Sequence, residues 1–298
     1  MDMEIKKQRF GSKFIKNFWR ELEKDNLALL ATILLIVLFL FIIIGQIFVP
    51  TDIGTMSNIL SANLPPLTNG HILGTTNSGA DFVLTLIASA SNSLIIGFGV
   101  AILITIISVT FGMIIGYFGG WIDWIAMRLI DFWLVMPLLM ILAIIFSTAK
   151  GLSIWSLILI LAVLSWPPNV RLIRTLTLSE VNRDYVQAAK ISGTPWYKIL
   201  FTGIFPNISS TVISDFALTL AGSIGIETSL TYLGFGLKHG TSSLGTMLTV
   251  LSGSSASSVY TQWWLWIPVT LVLIILTFGI VVLGQVARRA IDQRQSVS

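Results

Sequence analysis

Cysteine is absent from this chain of 298 residues. Disulfides, thiol nucleophiles and cysteine-ligated zinc or iron–sulfur centres are therefore excluded. Histidine is almost as scarce. His71 and His239 are the only two, and no carboxylate pattern surrounds either, so no metal site is expected. No G-x-x-x-x-G-K-[ST] loop occurs and no lysine follows a glycine, so the chain lacks a Walker-type cradle for nucleotide phosphates. Charge is the largest deficit: 11% of residues are Asp, Glu, Lys or Arg, against about 25% in soluble domains. In their place stand 54% hydrophobic residues and a mean hydropathy of +0.87. One or two water-soluble cores cannot hide so much apolar surface, so the bilayer is the solvent.

The apolar residues come in long continuous runs. Leu27–Phe48 is 22 residues without a charge. At about 1.5 Å per residue it crosses a hydrocarbon core of about 30 Å. A signal peptide has an apolar region of about 7–15 residues and a small-residue cleavage site, and this run fits neither. Further runs at Leu94–Phe118, Ile122–Phe146, Ser153–Val170, Ser209–Leu233 and Trp263–Val286 bring the expected spans to six. Barrel strands would alternate in polarity over about ten residues, which these runs do not, and helices satisfy their own backbone groups in lipid. With the N-terminus inside, sixteen of the 18 Lys and Arg fall on cytoplasmic segments, leaving Lys150 and Lys238 outside. That asymmetry predicts six helices with both termini in the cytoplasm of a cell-membrane protein, and it assigns the basic N-terminus to topology rather than to nucleic acid.

The expected organisation follows. Residues 1–26 form an N-terminal segment in which Phe10, Phe14, Phe18 and Leu22 recur four apart between basic residues. That helix either lies on the membrane surface or packs on the protein. Residues 27–49 are the first span, 50–85 an extracytoplasmic loop rich in Thr, Asn, Gly and Pro, 86–288 a core of five spans, and 289–298 a tail. Gly112, Gly116 and Gly120 repeat at four-residue spacing, which lets helix backbones approach closely, and GYFGGW reads as a tight turn.

The segment from Arg171 to Asn207 is too polar to span. Within it Asp184 sits in a first helical turn, where negative charge suits the dipole. Tyr185, Ala188, Ala189 and Ser192 share one face, and the two alanines leave room for a close neighbour. Gly193 ends this helix. Thr194 as N-cap and Pro195 at the first helical position start a second, with Trp196, Ile199 and Leu200 as its apolar face, and Pro206 is expected to stop it. Periodicity alone leaves two readings open: an interfacial helix under the membrane, or an element presented to a partner.

The run DYVQAAKISGTPWYKILFTGIFPN (residues 184–207) resembles the coupling motif of ABC-importer permeases, E-A-A, three residues, Gly, then about a dozen residues to an apolar-Pro pair. Ala188, Ala189, Gly193 and Phe205–Pro206 match, and Gln187 replaces the leading Glu. HILGTTNSGADF (residues 71–82) resembles the family's H-x-LGTD-x-x-GRD box, with Thr76 and Ala80 in place of Asp and Arg. YFGGWIDWIAMRLIDFWLVMP, LSWPPNVRLIRTLTLSE, ETSLTYLGFGL and LGQVARRAIDQR resemble further boxes of the C-type subunit of dipeptide and oligopeptide importers. The resemblance implies an all-α polytopic fold of type I importer permeases with an extra N-terminal span. It also implies coupling helices at 184–206, a homologous second permease, two cytoplasmic ATPases carrying ATP and Mg, and an extracytoplasmic substrate-binding protein. The chain itself would bind no cofactor and be no enzyme. The implied cargo is a dipeptide or oligopeptide, although relatives of this type also handle nickel chelates and glutathione.

Three carboxylates lie within or beside the runs. All three are candidates for the translocation path. Asp131, three residues after Arg128, is expected to form an ion pair with it ahead of a pathway role, and Asp215 falls near the cytoplasmic end of the fifth span, in reach of water. Glu227 is the leading candidate for the translocation path, with an interhelical hydrogen bond as the alternative. Two other classes carry different signatures. A self-contained secondary transporter would have inverted repeats with broken helices at the midplane, and an intramembrane enzyme a paired base or a histidine cluster; neither signature is apparent here.

Overall fold

The computed structural model describes residues 17–49, 59–148, 152–235, 237, 241–249 and 262–295. Phe10, Phe14, Lys150, Lys238 and His239 lie outside the described residues. Among the described residues the chain is helical, with no strand beyond isolated bridges. Four helices are long and apolar enough to cross a membrane, or six if each of two bent pairs counts as one span.

Residues 17–24 form a short helix. Phe18 and Leu22 turn it onto Val282 and Val286 of the last helix, so these two positions pack on the protein. Asp25 then caps α1 (Asn26–Gln46), accepting from the Leu27 and Ala28 N–H groups at 3.1 and 3.3 Å. The loop from residue 59 onward is closed by its own side chains. The His71 Nδ1 and Asp81 Oδ2 atoms are 2.7 Å apart, and the Thr76 hydroxyl accepts from the Ala80 N–H at 3.2 Å. Thr76 thus ties the turn with a hydroxyl at the position where the resembled family has an acid.

Asp81 also caps α2 (Phe82–Phe118) through the Leu84 N–H. This helix starts three turns before the expected Leu94. Ser89, Ser91, Asn92 and Ser93 interrupt the apolar run without interrupting the helix; Asn92 and Ser93 find partners on other elements. Asn92 Nδ2, for instance, donates to the Ser242 carbonyl at 2.8 Å. At Gly119 (φ +60) and Gly120 (φ +53) the chain reverses through backbone angles that residues with a Cβ rarely adopt. Gly120 therefore serves the turn rather than the packing series.

Two of the expected straight spans are bent. α3 (Gly120–Val135) and α4 (Leu138–Thr148) meet at 72°. Pro137 forces Met136 into extended backbone there. α5 (Ile154–Ser165) and α6 (Pro167–Val181) meet at 50° across Trp166. α6 passes the expected end at Val170 because both of its arginines have partners. Arg174 Nε donates to Asp123 Oδ1 at 2.7 Å, and Arg171 pairs with Asp131. The expected Arg128–Asp131 pair does not form. Arg128 lies over the Trp124 ring instead, 5.8 Å from its centroid, and Asp131 is taken by the facing helix.

α7 (Asp184–Ile191) leads through a turn to α8 (Trp196–Lys198), a π-helical turn at Ile199–Ile204 and α9 (Phe205–Tyr232). The last three run on as one helix, Trp196–Tyr232. α10 (Leu244–Leu248) is short, and α11 (Ile267–Gln295) closes the described chain. α2 is the central post, packed against α5, α6 and α9; α11 lies between α9 and α1. Gly112 and Gly116 set the α2–α6 spacing. A Cβ at Gly112 would lie 2.7 Å from Ile173 Cβ, and one at Gly116 2.8 Å from the Arg174 carbonyl oxygen.

Candidate functional site

The polar elbow of α7 and α8 lies at the end of the bundle where α2 terminates, opposite the His71–Asp81 loop. Its fastening to α2 is aromatic. Lys190 Nζ sits 5.0 Å from the Tyr117 ring centroid, and the Phe118 and Trp196 rings are 5.5 Å apart. Val186, Ile199, Leu200 and Ile204 bury its inner side against Met113 and Ile173. The outer side of α7 is exposed: Asp184, Gln187, Ala188, Lys190 and, at its tip, Ile191, which is 88% accessible. The outer side of α7 thus presents an open aliphatic side chain beside the small Ala188.

Gly193 terminates α7 as expected, with φ +72. The Gly193 N–H donates to the Lys190 carbonyl (3.1 Å) and the Thr194 N–H to the Ala189 carbonyl (3.0 Å), which is the complete double-bond helix stop. Nothing lies within 4 Å of where a Gly193 Cβ would stand. The glycine is there for its backbone angle alone. Ala188 and Ala189 are not equivalent: Ala188 is exposed, while Ala189 is partly buried against the core beneath. Gln187 turns inward at its tip, its Nε2 donating to the Val181 carbonyl at 3.0 Å. An ionised Glu, the usual residue of the resembled motif, could not make that bond.

Two expectations about the second helix fail. Thr194 is not its cap: Pro195 is the N-cap residue, with extended backbone, and the helix begins at Trp196 without a side-chain cap. Pro206 does not stop it. Pro206 lies inside the continuous helix Trp196–Tyr232, directly after the π turn, whose shifted hydrogen-bond register lets the helix run on through a residue without an N–H.

Sequence patterns carry no sign of the polar cluster behind the elbow. Tyr185 Oη donates to Glu180 Oε2 at 2.7 Å, and Asn207 Nδ2 donates to the same oxygen at 3.2 Å and to Tyr185 Oη at 3.0 Å. Arg183 Nε holds Glu180 Oε1 at 2.9 Å. Burial, and then the bond to Glu180, push the Tyr185 phenol up to about 12. It stays a donor at any ordinary pH.

The three carboxylates are dispersed. Asp131 is exposed beside Arg171. Asp215 is half-buried and accepts from Asn169 Nδ2 at 2.8 Å, joining α9 to α6. Glu227 is 0% accessible. Ser93 Oγ of α2 and Thr231 Oγ1 donate to it, each at 3.0 Å, and Ser93 Oγ in turn accepts from the Leu244 N–H at 3.1 Å. Glu227 thus joins α2, α9 and α10 inside a closed network. Among the described residues no group of three or more His, Asp or Glu could hold a metal ion.

Residues 108–297 match the family described as binding-protein-dependent transport system inner membrane component, and residues 13–66 match the N-terminal TM domain of oligopeptide transport permease C. The chain is 42% identical to the oligopeptide transport system permease protein OppC of Lactococcus lactis subsp. lactis, over 99% of both chains. It is 30% identical to the dipeptide transport system permease protein DppC of Haemophilus influenzae, over 94% of this chain and 95% of that one. The OppC of Bacillus subtilis is 31% identical over 95% and 92%. A polytopic helical chain with an added first span and a polar elbow between two of its spans therefore has its place: it belongs to the family of binding-protein-dependent transport system inner membrane components.

Proposed function

We propose that this protein is one permease subunit of an ATP-driven importer of dipeptides or oligopeptides in the cell membrane. The observation that carries the reading is the full-length similarity to peptide permeases, from the first span to the C-terminal tail. In the proposed assembly a homologous permease completes the translocation path, two cytoplasmic ATPases supply the work, and an external binding protein delivers the peptide. Both termini face the cytoplasm, in keeping with the placement of Lys and Arg.

The receiving element is the elbow, with Asp184, Tyr185, Gln187, Ala188, Ala189, Gly193, Thr194, Pro195 and Pro206 within it. Support comes from the exposed face of α7 and from the side-chain contacts that tie it to α2, α6 and α9, Lys190 on Tyr117 and Tyr185 on Glu180 and Asn207. Closure of the ATPase pair displaces α7; α2 and α9, as stiff helices, carry the displacement towards the opposite end of the bundle. The same two conformations are biased by ATP at one end and by the loaded binding protein at the other, which is what coupling requires. Asp215 and Glu227, each joining helices that must shift against one another, are placed to stabilise one conformation over the other.

The test is copurification and reconstitution. An affinity-tagged chain is expected to bring down two ATPases and a second permease, and the complex in proteoliposomes with its binding protein to accumulate tritiated short alanine peptides only when ATP is present. Uptake by this chain alone, driven by an ion gradient, would overturn the proposal in favour of a secondary transporter.

A further inference from the structure

Between α7 and α9 the chain contains two compliant places. One is the Gly193 turn, open on all sides; the other is the π turn, whose hydrogen bonds are out of the α register. A displacement of α7 passed along the backbone alone would be absorbed at these two points. A second route bypasses both. Tyr185 precedes the Gly193 turn and Asn207 follows the π turn, and they meet on Glu180 at the end of α6. The three side chains form a closed triangle. Arg183 occupies the remaining Glu180 oxygen, and the Tyr185 ring lies against the π turn itself, its Cε2 3.5 Å from where a Gly203 Cβ would stand.

We propose that the Glu180–Tyr185–Asn207 triangle is a strut that makes α7, α6 and α9 move as one body, and that Glu180 and Asn207 are positioning residues for energy transfer. The inference rests on the reading of α7 as the ATPase-docking element. Its geometry predicts an asymmetry. Loss of Asn207 frees α9 from the triangle but leaves α7 tied to α6 through Tyr185 and Glu180. Glu180→Ala removes the shared acceptor and frees α6, leaving only the Asn207–Tyr185 bond between α9 and α7, whereas Glu180→Gln keeps an acceptor for the phenol.

The test uses the full reconstituted complex and two readouts: peptide accumulated per ATP hydrolysed, with tritiated alanine peptides, and amide hydrogen exchange at residues 199–204. In Asn207→Ala, ATP hydrolysis is expected to persist while peptide per ATP falls about fivefold or more, the lower end of ordinary coupling. Exchange in the π turn should rise in parallel. Tyr185→Phe combined with Asn207→Ala should lower peptide per ATP further than Asn207→Ala alone, because it also cuts the tie of α7 to α6 that Asn207→Ala leaves. Glu180→Gln should retain more coupling than Glu180→Ala. An unchanged ratio in an assembled Asn207→Ala complex overturns the strut, as does an equal fall in hydrolysis and uptake. If the wild-type complex shows no ATP-driven uptake, the functional reading fails, and unchanged exchange in Asn207→Ala then refutes the strut on its own.

Discussion

At the scale of single residues, the elbow separates positions that look alike in the sequence. Ala188 and Ala189 are adjacent small residues, yet one faces out and the other in. Ala188→Trp is therefore the clean test of docking. Protein abundance should stay near wild type while ATP-driven uptake falls by about tenfold or more, as when a bulky group blocks an interface centre. Ala189→Trp must instead displace the core under α7, and thermal unfolding in detergent should show the loss. Normal uptake with Ala188→Trp would sink the docking assignment. Gly193→Val brings no clash, because the space around it is empty, but it places a β-branched residue at φ +72. The cost, about 1–3 kcal/mol of local strain, should be relieved by re-aiming α7. The expected result is a normally inserted protein whose complex hydrolyses ATP with little transport; full uptake would show that the turn tolerates another backbone angle. The Thr76 bond to the Ala80 N–H and the Gln187 bond to Val181 share a residue-scale feature. At these two departures from the resembled boxes, Ala80 being a third, the replacement makes a hydrogen bond suited to its own chemistry.

At the scale of elements, what could be read in advance was whatever depends on neighbours close in sequence. The apolar runs locate the four long apolar helices and the two bent pairs, the glycine after α7 locates its stop, and GYFGGW locates a turn. Misreadings cluster where a distant partner decides. α2 gains three turns because Asn92 and Ser93 find acceptors and donors about 150 residues away. α6 gains three turns because its two arginines find acids about 40 and 51 residues away. Pro206 reads as a stop only if the preceding turn is α-helical, and a π turn carries no short-range signature. The Glu180–Tyr185–Asn207 triangle was illegible for the same reason: its corners sit on three elements. The contact of α2 with α6 offers a prediction at this scale. Gly116→Leu forces a side chain into the Arg174 carbonyl and Thr177, and overpacking of this kind costs about 1–3 kcal/mol. A lower melting temperature of the purified protein and reduced abundance are expected, and wild-type stability would show that α2 and α6 part easily. Gly119→Ala, in the open turn, should be felt through its backbone alone.

For the molecule as a whole, orientation is the property most open to direct measurement, and the absence of cysteine makes the background clean. A cysteine at Thr68 should react with an impermeant thiol reagent added to intact cells. One at Ser192, in the elbow, should react only after the membrane is opened. Labelling of Ser192 from outside would invert the proposed topology and remove the elbow from any cytoplasmic ATPase. Length adds a further consequence. α2 has 37 residues, about 55 Å of helix, so even a tilt of about 40° leaves it longer than a hydrocarbon core of about 30 Å. α1 has 21 residues, about 32 Å, which matches that core. The two therefore answer differently to lipid. No natural bilayer is thick enough to enclose α2, so its tilt is fixed by α6 and α9. α1, packed on α11, is the span whose fit changes when the membrane thins or thickens. Reconstituted into lipids of increasing acyl length, the complex should owe any change in transport to α1: a thick bilayer would draw it out of line with α11, and the first span would serve as the protein's gauge of membrane thickness.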